Sequence, residues 1–275
     1  MIASERLYPI RRPIAAALAG AAVAVLGGLI GLGGAEFRLP ILISIFAMFP
    51  HRAVRTNLLI SLATLAMSAV ARLSFVNETN IASFQLEIAG MLIGGIAAAW
   101  LGAGYLRSIP KGRMMAMIAV LLLVVAGLLA AETLMHGAAW SLFSGGSVWR
   151  FPVAVAAGLL VGAISSMLGV AGGEFIIPIL IFVFGADIRT AGTASVLISI
   201  PVVLAGVTRH WLTGHYRSLS LLTYLVLPMA IGSGIGAMIG GYLALWAPAD
   251  ALRIVLATIL AISAIKLWTK ENASR

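Results

Sequence analysis

The most constraining feature of this sequence is a twelve-residue pattern that occurs twice. It reads GLGGAEFRLPIL over 31–42 and GVAGGEFIIPIL over 169–180, so Glu174 lies 138 positions after Glu36. In each copy a cluster of glycines precedes the glutamate, and a proline follows four residues after it. A duplicated helix break that carries a carboxylate within apolar sequence is typical of a membrane transporter built from two halves.

The composition excludes a soluble protein. Of the 275 residues, 61% are hydrophobic and only 10% are charged, whereas soluble domains average about 45–50% apolar and about 25% charged residues. A membrane-spanning helix needs about 20 apolar residues, so the chain has room for about ten such segments and little else. We therefore expect an all-α polytopic protein in a lipid bilayer, with no soluble catalytic or DNA-binding domain.

The repeat extends well beyond the glycine-rich pattern. At the same offset Gly94 matches Gly232, and five apolar segments map onto five. This predicts an N-terminal transmembrane repeat over 1–137 and a C-terminal one over 138–275. The predicted segments are 14–32, 36–49, 56–73, 86–106, 114–135, 151–168, 174–186, 190–208, 218–246 and 250–268.

Small residues recur every four positions in the fourth segment of each half. They are Gly90, Gly94, Ala98 and Gly102 in the first half, and Gly232, Gly236 and Gly240 in the second. Such spacing lays a smooth strip along one face of a helix and lets two backbones approach closely. The strip therefore predicts close helix packing.

Positive charges predict the orientation of the halves. Thirteen of the lysines and arginines fall on one side of the predicted membrane and four on the other, with Arg38 inside a segment. The positive-inside rule assigns the richer side to the cytoplasm, together with both termini. Each half then crosses an odd number of times, which predicts inverted repeats. The basic residues stand singly at segment ends, so the net charge of +9 does not indicate a nucleic-acid partner.

Two segments are too short for an ordinary crossing. Fourteen residues of helix over 36–49 span about 21 Å, against about 30 Å of hydrocarbon. Either a short helix crosses fully, or 14–32 and 36–49 form a hairpin whose glycine tip ends inside the membrane. We favour the hairpin. Inversion would bring the tip before 174–186 from the opposite face, so the two tips could meet.

The hairpin tips are the candidate anion site. Glycines free backbone groups there, and the helix that follows presents amides and a dipole that attract anions. Hydroxyl and amide side chains on the next helices could bind an oxyanion, or equally could cap those helices. The candidate substrate-binding residues are Gly33, Gly34, Ala35, Glu36, Asn57, Gly172, Gly173, Glu174, Thr193 and Ser195.

Three roles are open for Glu36 and Glu174. Each could cap its own helix, could be protonated and donate a hydrogen bond, or could gain and lose a proton during transport and so couple the flux to a proton gradient. Arg38 has Ile176 as its counterpart in the second half. It could attract the anion, or it could snorkel to an interface.

These residues resemble the TauE/SafE family of sulfite and organosulfur anion permeases. The resemblance covers the whole chain and rests on two glycine clusters, each with a following proline, and on a polar stretch in the second half: Gly31, Gly33, Gly34 and Pro40; Gly169, Gly172, Gly173 and Pro178; Gly192, Thr193, Ala194 and Ser195. The family implies a secondary transporter of sulfite, thiosulfate or sulfonates in the bacterial inner membrane. Ala171 and Ala35 interrupt the full triple glycine, one in each copy.

The sequence thus predicts a secondary anion transporter that works by alternating access. A passive anion channel is the alternative, and an intramembrane enzyme is disfavoured because no histidine lies in an apolar segment to serve as a base. No catalytic residue, cofactor or metal is expected, and the chain has no cysteine to supply a thiolate ligand. The oligomeric state is open, with a homodimer as one option.

Overall fold

All the regular secondary structure in the described residues is helical. The computed structural model describes residues 12–30, 34–72, 81–134, 148–214, 216, 219–243 and parts of 254–269, and none of these residues lies in a strand. This confirms the all-α fold. The predicted segment 250–268 lies mostly outside the described residues.

Ten helices follow one another along the described chain, and most match a predicted segment within a few residues. Two of them, α7 (Gly173–Pro178) and α9 (Leu219–Leu221), continue directly as π-helical turns over Ile179–Val183 and Leu222–Val226, and the second of these turns leads into α10 (Leu227–Leu243). The helices are α1 (Pro13–Ile30), α2 (Ala35–Ser44), α3 (Pro50–Arg72), α4 (Gln85–Tyr105), α5 (Lys111–Leu134), α6 (Arg150–Leu168), α7 (Gly173–Pro178), α8 (Ile188–Leu212), α9 (Leu219–Leu221) and α10 (Leu227–Leu243).

Five of the described helical stretches are long and apolar enough to cross a membrane: Pro50–Val70, Ile81–Tyr105, Arg150–Leu168, Thr190–Leu212 and Leu219–Gly240. The helix α2 is not one of them. It ends at Ser44, five residues before the predicted end of its segment. Ala47 then adopts a positive φ of 50°, which is incompatible with a continuing right-handed α-helix. Ten residues span about 15 Å, roughly half of the hydrocarbon core.

Two pairs of helices pack closely along their lengths, α1 with α10 and α4 with α6. A Cβ added at Gly94 would lie 2.1 Å from the Val155 carbonyl oxygen, and one added at Gly232 would lie 2.0 Å from that of Ala17. These two contacts join residues related by the same 138 positions. A second matched pair joins Gly20 to the Met229 carbonyl and Gly158 to the Met91 carbonyl, both at 2.3 Å. The predicted use of small residues for close helix packing is confirmed.

The short helices α2 and α7, which follow the two glycine-rich breaks, pack in different clusters of buried apolar side chains. Phe37 and Leu42 of α2 belong to a buried cluster that includes residues of α3 and α5. Ile176 of α7 and the following Leu180 belong to a second cluster with α6 and α8. Each of these two helices is thus anchored mainly by its own set of buried side chains.

Candidate anion site

Each short helix begins directly after a left-handed glycine. Gly34 has φ +73° and Gly172 has φ +85°, a conformation that L side chains rarely adopt. A Cβ at Gly34 would lie 3.0 Å from the Val23 carbonyl oxygen, and one at Gly172 would lie 2.7 Å from a methyl of Val161. The two contacts are equivalent, because Gly172 follows Gly34 and Val161 follows Val23 by the same 138 positions. Gly33, the other glycine predicted at the first break, lies outside the described residues.

The two glutamates meet. Glu36 is 0% exposed and Glu174 is 3% exposed, and their carboxyl groups interact with each other. Within the described part of the chain, none of the four carboxyl oxygens has a hydrogen-bond partner of standard geometry. By standard distance and angle neither carboxyl accepts a bond from a described backbone amide, but the backbone amide of Glu36 lies close enough to act on its own carboxyl as a hydrogen-bond donor, so capping of α2 by Glu36 stays a prediction.

Arg38 is completely buried beside them. Its three nitrogens donate to neutral acceptors on two other helices: Nε to Asn57 Oδ1 at 3.2 Å, Nη1 to Ser233 Oγ at 3.2 Å and Nη2 to Ser61 Oγ at 3.0 Å. Its charge also acts on both Glu36 and Glu174. Arg38 therefore does not snorkel to an interface. It supplies a fixed positive charge at the centre of the protein.

Asn57 ties the two breaks together. Its amide nitrogen donates to the Ala35 carbonyl at 2.7 Å and to the Gly169 carbonyl at 2.8 Å, while its oxygen accepts from Arg38. All of its donors are used within the protein in this conformation. In this conformation Asn57 is a brace between the first and the second glycine cluster, and its role as an anion ligand stays a prediction.

The predicted polar residues of the second half lie close by but bond differently. Ser195 donates to the Gly192 carbonyl of its own helix at 2.9 Å, and its hydroxyl is 4.0 Å from where a Cβ of Gly173 would lie. Thr193 is buried on the same helix. Ser165, which precedes the second break, donates to the Val170 carbonyl at 2.7 Å and so holds the turn that leads to α7.

A second charged cluster lies away from this site and was not predicted. Glu87 of α4 pairs with Arg150 of α6, and the Arg150 guanidinium lies over the rings of Phe84 and Phe184 at 5.9 and 5.7 Å. They line a cavity of about 690 Å³. The two residues are 63 positions apart in the sequence. Their ion pair could therefore be predicted only by knowing that α4 packs against α6.

A buried tyrosine anchors the turn between α8 and α9. The Tyr216 hydroxyl donates to the Arg55 carbonyl at 3.0 Å. Burial raises the pKa of Tyr216 well above its ordinary value, so the phenol stays neutral at working pH. This residue therefore adds no titration of its own to the pH dependence of the protein.

Comparison with known proteins identifies the family. The family described as "Sulfite exporter TauE/SafE" matches residues 15–267. The chain belongs to this family. It is also 32% identical over 119 residues to the probable membrane transporter protein y4hK of Sinorhizobium fredii, a match that covers 42% of this chain and 44% of the relative. No solved structure matches. Membership of the TauE/SafE family confirms the resemblance found in the sequence, and together with the five apolar helices it supports a multi-pass membrane protein.

Proposed function

We propose that the protein is a secondary transporter of a small sulfur-containing oxyanion, such as sulfite, thiosulfate or an organosulfonate. One observation carries the proposal: the starts of two broken helices meet deep inside an otherwise apolar chain, around Glu36, Glu174 and Arg38. Charged groups inside a membrane protein mark substrate or ion pathways. The family name gives the substrate class, since it describes sulfite exporters.

Arg38 and the two helix starts would attract the anion. Arg38 supplies a full positive charge, and the first amides of α2 and α7 supply partial positive charge from the helix dipoles. Thr193 and Ser195, near the second break, carry hydroxyls that could donate to an oxyanion, Ser195 by giving up its bond to the Gly192 carbonyl. The remaining predicted ligands, Gly34, Ala35, Gly172 and Gly173, would contribute backbone rather than side chains.

Alternating access would follow from two inverted halves. The repeated contacts, Gly94 with Val155 and Gly232 with Ala17, support a twofold relation between the halves. Such a relation lets the same site open to one side when one half moves, and to the other side when its counterpart moves. The charge count supports an inner-membrane location with both termini in the cytoplasm.

Counterflow in proteoliposomes tests this function. Purified protein is reconstituted with unlabelled anion inside, and radiolabelled sulfite, thiosulfate or a taurine-derived sulfonate is added outside. A carrier gives transient, saturable accumulation of the labelled anion. Flux that rises linearly with concentration and shows no counterflow would identify a passive channel instead. If none of these anions moves under any pH gradient, the substrate class is wrong.

A further inference from the structure

We propose that Glu36 and Glu174 form a single proton-binding site, which holds one shared proton at rest and takes up a second proton with each anion. This inference rests on the proposed function and deepens it, because it fixes how many protons travel and which residues carry them. One carboxyl comes from each glycine break, so neither half of the chain contains the site alone. Three observations carry the inference: the unpartnered oxygens, the buried charge of Arg38 and the neutral surroundings.

The unpartnered oxygens require a proton. Two ionised carboxylates would face each other with no hydrogen bond of standard geometry from the described residues, and the one donor that acts on them is the backbone amide of Glu36. An ionised carboxylate is costly inside a membrane, and like charges repel. One proton between them removes both problems, since the protonated carboxyl donates to the other and the pair then carries a single negative charge. Paired carboxyls in other proteins share a proton for the same reason.

Arg38 sets the charge of the resting state. Its guanidinium is fully buried and gives its hydrogen bonds to neutral groups, so its charge is not cancelled by them. It acts on Glu36 and on Glu174. One positive arginine and one singly protonated pair add to zero. A bound monovalent anion would leave the site negative by one charge, and a second proton on the pair restores neutrality.

The groups around the pair leave no other proton carrier among the described residues that face it. The side chains that bond to Arg38, Asn57 and Ser61 from α3 and Ser233 from α10, are uncharged, and so is Ser195 of α8, which lies beside Gly173. The other described buried carboxylate, Glu87, is paired with Arg150 in a separate cluster. The protonation of this site therefore depends on Glu36, Glu174 and Arg38.

A shared site predicts an unusual pattern in variants. In Glu36→Gln the amide donates to the remaining carboxylate, just as the shared proton does, and Glu174 still moves between ionised and neutral forms. Glu174→Gln behaves in the same way through Glu36. Each single variant therefore keeps one proton per anion, and only the double variant loses coupling, because its pair is permanently neutral.

The transport test uses the reconstituted full-length protein and a labelled alkanesulfonate, which stays monovalent at every working pH. With the membrane potential clamped at zero, the wild type and each single variant should accumulate the anion about tenfold per unit of pH gradient. The double variant should show counterflow but no accumulation. Roughly hundredfold accumulation in the wild type would mean two protons per anion, and loss of coupling in only one single variant would mean that one glutamate alone carries the proton. Either result overturns the proposal.

Infrared spectroscopy tests the shared proton without any transport. At neutral pH the wild type should show the carbonyl stretch of one buried protonated carboxyl, and both single glutamine variants should lack it. Glu87→Gln is the matched control and should leave the band unchanged. A wild type without the band, or a band that survives in either single variant, contradicts the shared proton.

If the wild type transports no anion, the proposed function and the coupling fail together, and the infrared band alone decides whether the pair shares a proton. If the double variant shows no counterflow, the accumulation in the two single variants decides.

Discussion

The two glycine breaks share a backbone but differ in chemistry. Gly34 and Gly172 have the same left-handed conformation and contact equivalent valines. In the first copy, however, an arginine follows the glutamate, and it is held by three hydrogen bonds. In the second copy Ile176 occupies that position and packs in an apolar cluster. The comparison teaches that duplication preserved the geometry that forms the site, while the compensating charge is supplied by one copy only.

The short helices also differ in how firmly they are held. Eight of the ten residues of α2 are buried, against three of the six residues of α7. Both helices contain a proline, which removes a backbone donor and loosens the next turn. After Pro178 the backbone widens into a π-helical turn over Ile179–Val183, whereas α2 continues as an α-helix past Pro40. Such π turns often occur at functional sites, and this one marks the second copy as the looser of the two.

The largest expected effect comes from removing the charge in the first copy. Arg38→Gln leaves the glutamate pair without its balancing cation and the three acceptors without their donors. Breaking a buried charge arrangement costs about 3–5 kcal/mol, so we expect at least about a hundredfold loss of anion counterflow and a lower Tm. Counterflow in proteoliposomes and thermal unfolding in detergent measure the two effects.

A charge transfer between the copies provides the control. In the double variant Arg38→Ile with Ile176→Arg, the total charge is unchanged but the arginine lies among apolar neighbours. We expect no rescue, since the hydrogen-bond acceptors on α3 and α10 remain with the first copy. Normal counterflow in Arg38→Gln, or full rescue by the transferred arginine, would show that the two copies are equivalent after all.

The next largest effect concerns the brace at Asn57. Asn57→Ala leaves the Gly169 carbonyl and one arginine N–H without their Asn57 partner and removes the side-chain bond to the Ala35 carbonyl, and each buried group left unpaired costs about 1–3 kcal/mol. We expect a loss of about 3 kcal/mol or more in the free energy of unfolding. The equivalent change, Ser195→Ala, removes only a bond within its own helix and should cost about 1 kcal/mol or less. Equal losses of stability in the two variants would contradict an asymmetric brace.

The backbone features that the two copies share could be predicted from the sequence, whereas the side-chain partners that distinguish them could not. The glycine clusters and the every-fourth-residue strip are local patterns, so they predicted the breaks and the contact at Gly94. The partners of Arg38 are the Asn57 amide oxygen and two hydroxyls, 19, 23 and 195 positions away along the chain. Their meeting depends on how α2, α3 and α10 cross, which periodicity does not specify. The same reason hid the pairing of Glu87 with Arg150.

A smaller and symmetric effect is expected where the copies are alike. Gly94→Ala and Gly232→Ala each place a Cβ about 2 Å from a backbone carbonyl of the neighbouring helix, and overpacking of this kind costs about 1–3 kcal/mol. Because the two contacts are equivalent, the two variants should lower the Tm by similar amounts. Gly127→Ala is the control, since a Cβ there would meet nothing within 4 Å. A large effect in only one of the first two variants would show that the halves do not share this packing.

The smallest expected difference is in the local opening of the two short helices. Fewer buried contacts and a widened turn lower the free energy of local opening, so backbone amides over 173–183 should exchange with solvent deuterium several-fold faster than those over 35–44. Peptide-level exchange measured by mass spectrometry compares the two stretches in one sample, which removes differences in pH and detergent. Faster exchange in the second copy would indicate that α7 is the element that moves when the site changes access, while the first copy, held by Arg38 and Asn57, stays in place. Faster exchange over 35–44 would reverse that assignment, because the hydrogen-bonded copy would then be the one that opens.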